Sequence, residues 1–94
     1  MYESTLEKKI CAYVREKGGK AFKWVSPGTP GVPDRIAILP GGKVVFIEVK
    51  RPGLADGLSV RQKKVFKLLE KLGCTVWRIS DFEDLKERLK AFEV

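Results

Sequence analysis

The chain has no histidine among its 94 residues. Serine and cysteine triads of the usual kind, histidine general bases and Cys/His zinc sites are thereby excluded together. Its two cysteines, Cys11 and Cys74, are too few for a zinc site within one chain. Both lie in apolar patterns and read as buried, reduced thiols of a cytosolic protein. Neither Gly-x-x-x-x-Gly-Lys-Ser/Thr nor Gly-x-Gly-x-x-Gly occurs, so no nucleotide cofactor is indicated. No apolar run approaches the ~20 residues of a membrane span. Met1-Tyr2-Glu3 leads into a charged amphipathic stretch, which does not read as a signal peptide. Internal repeats, linkers and low-complexity segments are missing as well.

What is present is basic. Nineteen Lys/Arg against twelve Asp/Glu leave a net charge of +7 and a pI near 9.6, which suits a polyanionic partner. With 44% hydrophobic and 10% aromatic residues the composition is that of a globular protein. Residues 1–94 read as one small domain. A domain of this size buries only about 60–65% of its unfolded surface and gains from a partner chain.

The stretch from Gly31 to Lys50 organises the rest. Arg35-Ile36-Ala37-Ile38-Leu39 and Val44-Val45-Phe46-Ile47-Glu48-Val49-Lys50 flank Pro40-Gly41-Gly42, and this predicts a β-hairpin. The second run is so continuously apolar that a strand covered on both faces is expected. Its charges are the anomaly. Glu48 and Lys50 alternate onto the side of Val44 and Phe46. A three-residue loop with a left-handed glycine makes residue 39 oppose residue 43 and, by continuation, Asp34 oppose Glu48. A two-residue loop would set Asp34 against Val49 and break the cluster.

Two facing carboxylates repel, and partial burial makes ionising both more costly. A divalent cation removes the difficulty, since two carboxylates completed by water and a substrate phosphate are a usual Mg²⁺ arrangement. Lys50 could then orient or deprotonate the attacking water and offset charge in the transition state. The spacing suits metal-assisted phosphodiester hydrolysis. Glu-x-Lys alone is equally the pattern of an ion pair on a solvated strand, and Asp34 alone reads as a turn residue. Their order, Gly-x-Pro-Asp, strand, turn, strand, Glu-x-Lys, is the specific signal.

The flanking elements follow from periodicity and punctuation. Residues 3–17 read as a helix with Leu6, Ile10, Tyr13 and Val14 at helical spacing and Gly18-Gly19 as its stop. Residues 20–25 read as a strand, with Trp24 assigned to the core. Residues 26–33 hold three prolines and two glycines and predict a stiff loop leading to Asp34. There Gly31 lets backbone approach the cleft and Pro33 extends Val32. After a loop over residues 51–58, Ser59-x-x-Gln62 is a capping box opening a helix to Leu72, with Val65, Phe66, Leu69 and Leu72 inward. Residues 74–79 form a strand after a crossover, hence parallel to the Glu48 strand. Ser80-Asp81-Phe82-Glu83 reads as a second capping box, starting a last helix to about Phe92.

Gly31-Val32-Pro33-Asp34 followed by Glu48-Val49-Lys50 resembles the PD-(D/E)-x-K nuclease superfamily, specifically its VRR-NUC branch of small, often virus-borne, stand-alone nuclease domains. The likeness extends over most of the chain, including Ser26-Pro27-Gly28 and the helix bearing Gln62. It implies an α/β, restriction-endonuclease-like fold, a mixed β-sheet flanked by helices in the order α-β-β-β-α-β-α. It also implies Mg²⁺ dependence with Mn²⁺ as substitute, cleavage of branched DNA such as Holliday junctions, and a homodimer. In the superfamily a glutamate on the first helix often completes the metal site. Glu7, eleven residues before Gly18, matches that place better than Glu3, although both also suit a helix dipole or a solvated face. By the same likeness Gln62 lies near the active site, which does not exclude its capping role.

The expected function is a metal-dependent, structure-specific DNA endonuclease. Asp34 and Glu48 hold the ion with the Val49 carbonyl as a further ligand, Lys50 activates or positions water, and Glu7 and Gln62 assist. Arg35, Arg51, Arg61, Lys63 and Lys64 contact phosphates. The alternative of a different class is a non-catalytic basic nucleic-acid-binding module or nuclease subunit. A sequence-specific restriction-type nuclease is disfavoured, because so short a chain has little room for a separate base-reading element.

Overall fold

Gly41 and Gly42, at φ 84° and 73°, turn the chain back on itself, and Leu39 pairs with Lys43 across the three-residue loop. The computed structural model, which describes residues 2–53 and 57–93, therefore has the hairpin register on which the carboxylate argument depends. Part of the loop over 51–58, residues 54–56, lies outside the described residues. The strands of the hairpin are β2 (Arg35–Leu39) and β3 (Lys43–Val49). β1 (Lys20–Lys23) and β4 (Thr75–Ile79) complete a four-stranded sheet in the order β1-β2-β3-β4. β3 and β4 run parallel, the other pairs antiparallel, so the sheet is mixed. Three helices flank it: α1 (Tyr2–Glu16), α2 (Val60–Lys71) and α3 (Phe82–Glu93). The order α-β-β-β-α-β-α is the expected one.

Alternation along the strands separates two faces. Ala21, Ala37, Leu39, Val45, Ile47, Val49 and Ile79 are buried against Leu6, Ile10 and Val14 of α1 and Leu85 and Leu89 of α3, and together they make the core. Burying side chains of this type stabilises by about 1.5–3 kcal/mol each. Lys43 Nζ donates to the carbonyls of Phe92 and Glu93 at 3.3 and 2.7 Å, satisfying the end of α3 where the helix dipole favours a cation. The opposite face carries α2, which packs beside β4.

Several local expectations are corrected. β3 is covered on both faces only towards its C-terminal end. Phe46 is half-buried and Val44 exposed, because α2 sits over β4 and leaves the β1–β2 side open. The first strand stops at Lys23, and Trp24 is half-buried on that second face, its ring 5.2 Å from Phe46. Asp81, not Ser80, caps α3: its Oδ2 accepts the N–H of Asp84 at 3.1 Å, while the Ser80 carbonyl accepts the hydroxyl of Tyr2. Leu72, expected inward, is exposed just past the end of α2. Cys11 and Cys74 are free thiols, half-buried where full burial was expected.

Candidate active site

The site begins where the β2–β3 ladder runs out. Arg35 pairs with Ile47, and one step further Asp34 faces Glu48. The Asp34 backbone is held on its other side, where its carbonyl accepts the N–H of Trp24 at 3.0 Å. Pro33, which precedes it, is fully buried. With the main chain fixed, Oδ2 of Asp34 accepts the N–H of Val49 at 2.9 Å. The Val49 N–H is thus engaged by the first carboxylate of the set.

Glu48 is 2% exposed, the one charged side chain in the core of the described residues. Its Oε2 accepts from Gln62 Nε2 at 2.8 Å and meets Lys50 Nζ at 3.1 Å. Its Oε1 is buried with no hydrogen-bond partner. Burial, followed by the negative charge of Asp34, pushes the Glu48 carboxyl above its ordinary value, against the lowering effect of the Lys50 and Gln62 hydrogen bonds. Leaving a buried carboxylate oxygen unpaired costs free energy. Two hard oxygen donors, one of them an orphan, fit a divalent cation.

Gln62 both closes the capping box and reaches Glu48. Its backbone N–H donates to Ser59 Oγ and its Oε1 accepts the Ser59 N–H, each at 3.1 Å, closing the capping box. Its Nε2 remains free to reach Glu48. The loop over 26–33 braces this turn of α2. At Gly31, φ is 97° and an added Cβ would lie 2.8 Å from the Arg61 carbonyl group and 3.0 Å from Gln62 N. Only glycine lets the two backbones approach so closely.

Asp34, Glu48, Lys50 and Gln62 are thus brought together, and Glu7 is not. Arg35 alternates to the face opposite Asp34, so its Nε reaches Glu7 Oε2 at 2.6 Å while Nη1 donates to the Ala21 carbonyl at 3.3 Å. Among the described residues no group of three or more His, Cys, Asp or Glu side chains converges as a metal cluster. Arg51, Arg61, Lys63 and Lys64 are exposed, whereas Arg35 is tied into the Glu7 pair. Sequence reasoning passed over Arg78. It lies beside Glu48 in the parallel β3–β4 register and donates through Nη1 to Ser80 Oγ at 3.4 Å. Its Nη2 lies 3.1 Å from where a Cβ on Gly57 would sit. The signal was strand alternation, but the stagger of β4 against β3 is set across a crossover and cannot be counted off from a turn.

No protein-family model matches the chain. Over 96% of its length it superposes on a solved structure described as "VRR_NUC domain", 96% of which is covered in turn, with a TM-score of 0.88 and 24% identity. The fold is that of a VRR-NUC domain. In addition, 51 residues are 53% identical to a protein of Acyrthosiphon pisum secondary endosymbiont phage 1 described as "Putative nuclease p44". The match spans 54% of this chain and 55% of that relative, about half the length of each. At 24% identity the structural likeness shows the fold, and the phage likeness covers 51 residues of the chain.

Proposed function

We propose that the chain is a metal-dependent, structure-specific DNA endonuclease acting on branched DNA such as four-way junctions. The observation that carries this reading is the Glu48 carboxylate, buried opposite Asp34 with Lys50 and Gln62 on one oxygen and nothing on the other. Asp34 and Glu48, with the Val49 carbonyl, would hold Mg²⁺ or Mn²⁺. The ion would supply charge neutralisation at the phosphate and a more acidic water. Lys50, beside Glu48, orients the nucleophile and accepts or donates its proton. Gln62 fixes the Glu48 carboxylate, and Glu7 assists only indirectly, by holding the Arg35 guanidinium on the α1 face of the sheet. The exposed cations Arg51, Arg61, Lys63 and Lys64 line the approach of the DNA backbone.

A homodimer belongs to the same proposal. Cutting both strands of a symmetric junction takes two centres, and Phe22, Ile38 and Val44, 46%, 40% and 37% exposed, form an apolar surface on the open face of the sheet. A second copy is the occupant assigned to that face, and sedimentation of the chain and of Phe22→Lys tests it.

The deciding experiment compares cleavage of a four-way junction, a flapped duplex, a nicked duplex and plain duplex with and without Mg²⁺. Asp34→Ala is expected to abolish cleavage while retaining binding. A chain that binds all four substrates but cuts none with Mg²⁺ or Mn²⁺ is the non-catalytic module instead. The phage-borne relative supports a virus-encoded protein acting inside a host cell. No described helix is long and apolar enough to cross a membrane.

A further inference from the structure

We propose that the groove between α1 and β1 is a second backbone channel, taking a DNA strand as it leaves the cleavage site around the end of the sheet. The proposal rests on the reading of DNA as the ligand but not on catalysis. The groove encloses about 670 Å³ and carries Lys8 and Arg15 of α1, Lys20 of β1 and Arg35 of β2 around a floor of Cys11, Gly19 and Ala21. Glu7 offsets Arg35 alone. Among the described residues no carboxylate pairs with Lys8, Arg15 or Lys20, and the Lys20 ammonium lies over the Phe22 ring at 5.3 Å. The cations Lys8, Arg15 and Arg35 around small side chains leave room for a charged backbone, while the Lys20 ammonium turns over Phe22 to the open face.

Dimensions favour a strand over a single anion. Lys8, Cys11 and Arg15 fall on one helical stripe that spans roughly 10 Å at 1.5 Å per residue. A nucleic-acid strand advances about 3.4 Å per phosphate, so the stripe tracks about three nucleotides. Arg35 stands at one end, next in the chain to Asp34, and Arg15, with Gly19 and Lys20, at the other. The charge is segregated in the same sense. Residues 81–93 hold five of the twelve Asp/Glu and only three of the nineteen Lys/Arg. β1 and α2 carry the net positive charge, while α1, balanced in sign, sets Lys8 and Arg15 towards the groove.

Cys11 provides a native probe, with Cys74, beside β4 at the other edge of the sheet, as the reference. In the Asp34→Ala chain of 94 residues without divalent metal, a saturating four-way junction is expected to slow iodoacetamide modification of Cys11 about fivefold or more and to leave Cys74 unchanged. Lys8→Ala combined with Arg15→Ala is expected to reduce the slope of log affinity against log salt by about two units. If Cys11 reacts at the same rate with the junction bound and the slope is unaltered, these cations only guard the β1 edge against strand pairing, and the channel is refuted. A chain that protects Cys11 yet never cuts DNA keeps the channel and sinks the nuclease reading.

Discussion

Gln62 Nε2 lies 2.8 Å from Glu48 Oε2 while Gln62 Oε1 accepts the N–H of Ser59 at 3.1 Å. One side chain thus starts α2 and pins a buried carboxylate of the neighbouring strand. The two roles separate by mutation. Ser59→Ala should cost about 1 kcal/mol of stability with little effect on cleavage. Gln62→Ala should lose similar stability and also lower cleavage by about 10–100-fold, as removal of a group supporting a metal ligand does. Melting curves and single-turnover rates for the two variants distinguish the roles, and equal activity in both would remove Gln62 from the site.

Lys50 approaches Glu48 at 3.1 Å and is about one-fifth exposed. Lys50→Ala should slow the chemical step by about 10²- to 10⁴-fold, the usual range for a lost proton-transfer group. Junction affinity, measured without metal, should change little. A variant that loses affinity and keeps its rate would make Lys50 a phosphate contact instead.

The raised Glu48 pKa sets a direction for stability against pH. The native state holds this proton more tightly than the unfolded chain, whose value is about 4.3. The contribution is therefore fully present below that pH and is lost as pH rises through the native value. In the metal-free protein Glu48→Gln removes the penalty of the buried charge. It should melt above the unsubstituted chain at pH 7, with the gap closing towards pH 4. Mg²⁺ should raise the melting temperature of the unsubstituted chain and not of the variant. A Glu48→Gln protein that melts lower at pH 7 would contradict this account.

Gly31→Ala tests the brace on α2. With φ at 97° and the Arg61 carbonyl 2.8 Å from the new methyl, the substitution should cost about 1–3 kcal/mol. It should also depress cleavage, since Gln62 lies on the displaced turn. Gly28→Ala, where a Cβ meets nothing within 4 Å, is the matched control. Equal melting temperatures for the two variants would show that the loop does not brace the helix.

The exposed cations of α2 should appear in the salt dependence of binding. Arg61→Ala combined with Lys64→Ala should reduce the slope of log affinity against log salt by about two units and weaken all four DNA substrates alike. Fluorescence anisotropy over 50–200 mM salt measures this, and a slope that stays constant takes α2 out of the interface.

The element order, the hairpin register and the Asp34–Glu48 opposition were legible in the sequence, because each is decided by neighbours in the chain. Alternation and a three-residue turn are local rules, so Leu39 facing Lys43 carried Asp34 to Glu48. The Ser59–Gln62 capping box was local too, whereas the nearness of Gln62 to the site came only from the family likeness, and its hydrogen bond to Glu48 only from the structure. Tertiary structure alone decided the remainder. Whether Glu7 met the carboxylates or Arg35 depended on how α1 rests on the sheet, and the core packing of Leu6, Ile10 and Val14 carried it to Arg35. The neighbour of Glu48 on β4, the closeness of Gly31 to Arg61 and the basic walls of the α1–β1 groove likewise join residues distant in the chain. Such contacts are set by packing of separate elements, for which a sequence carries periodicity but no distance.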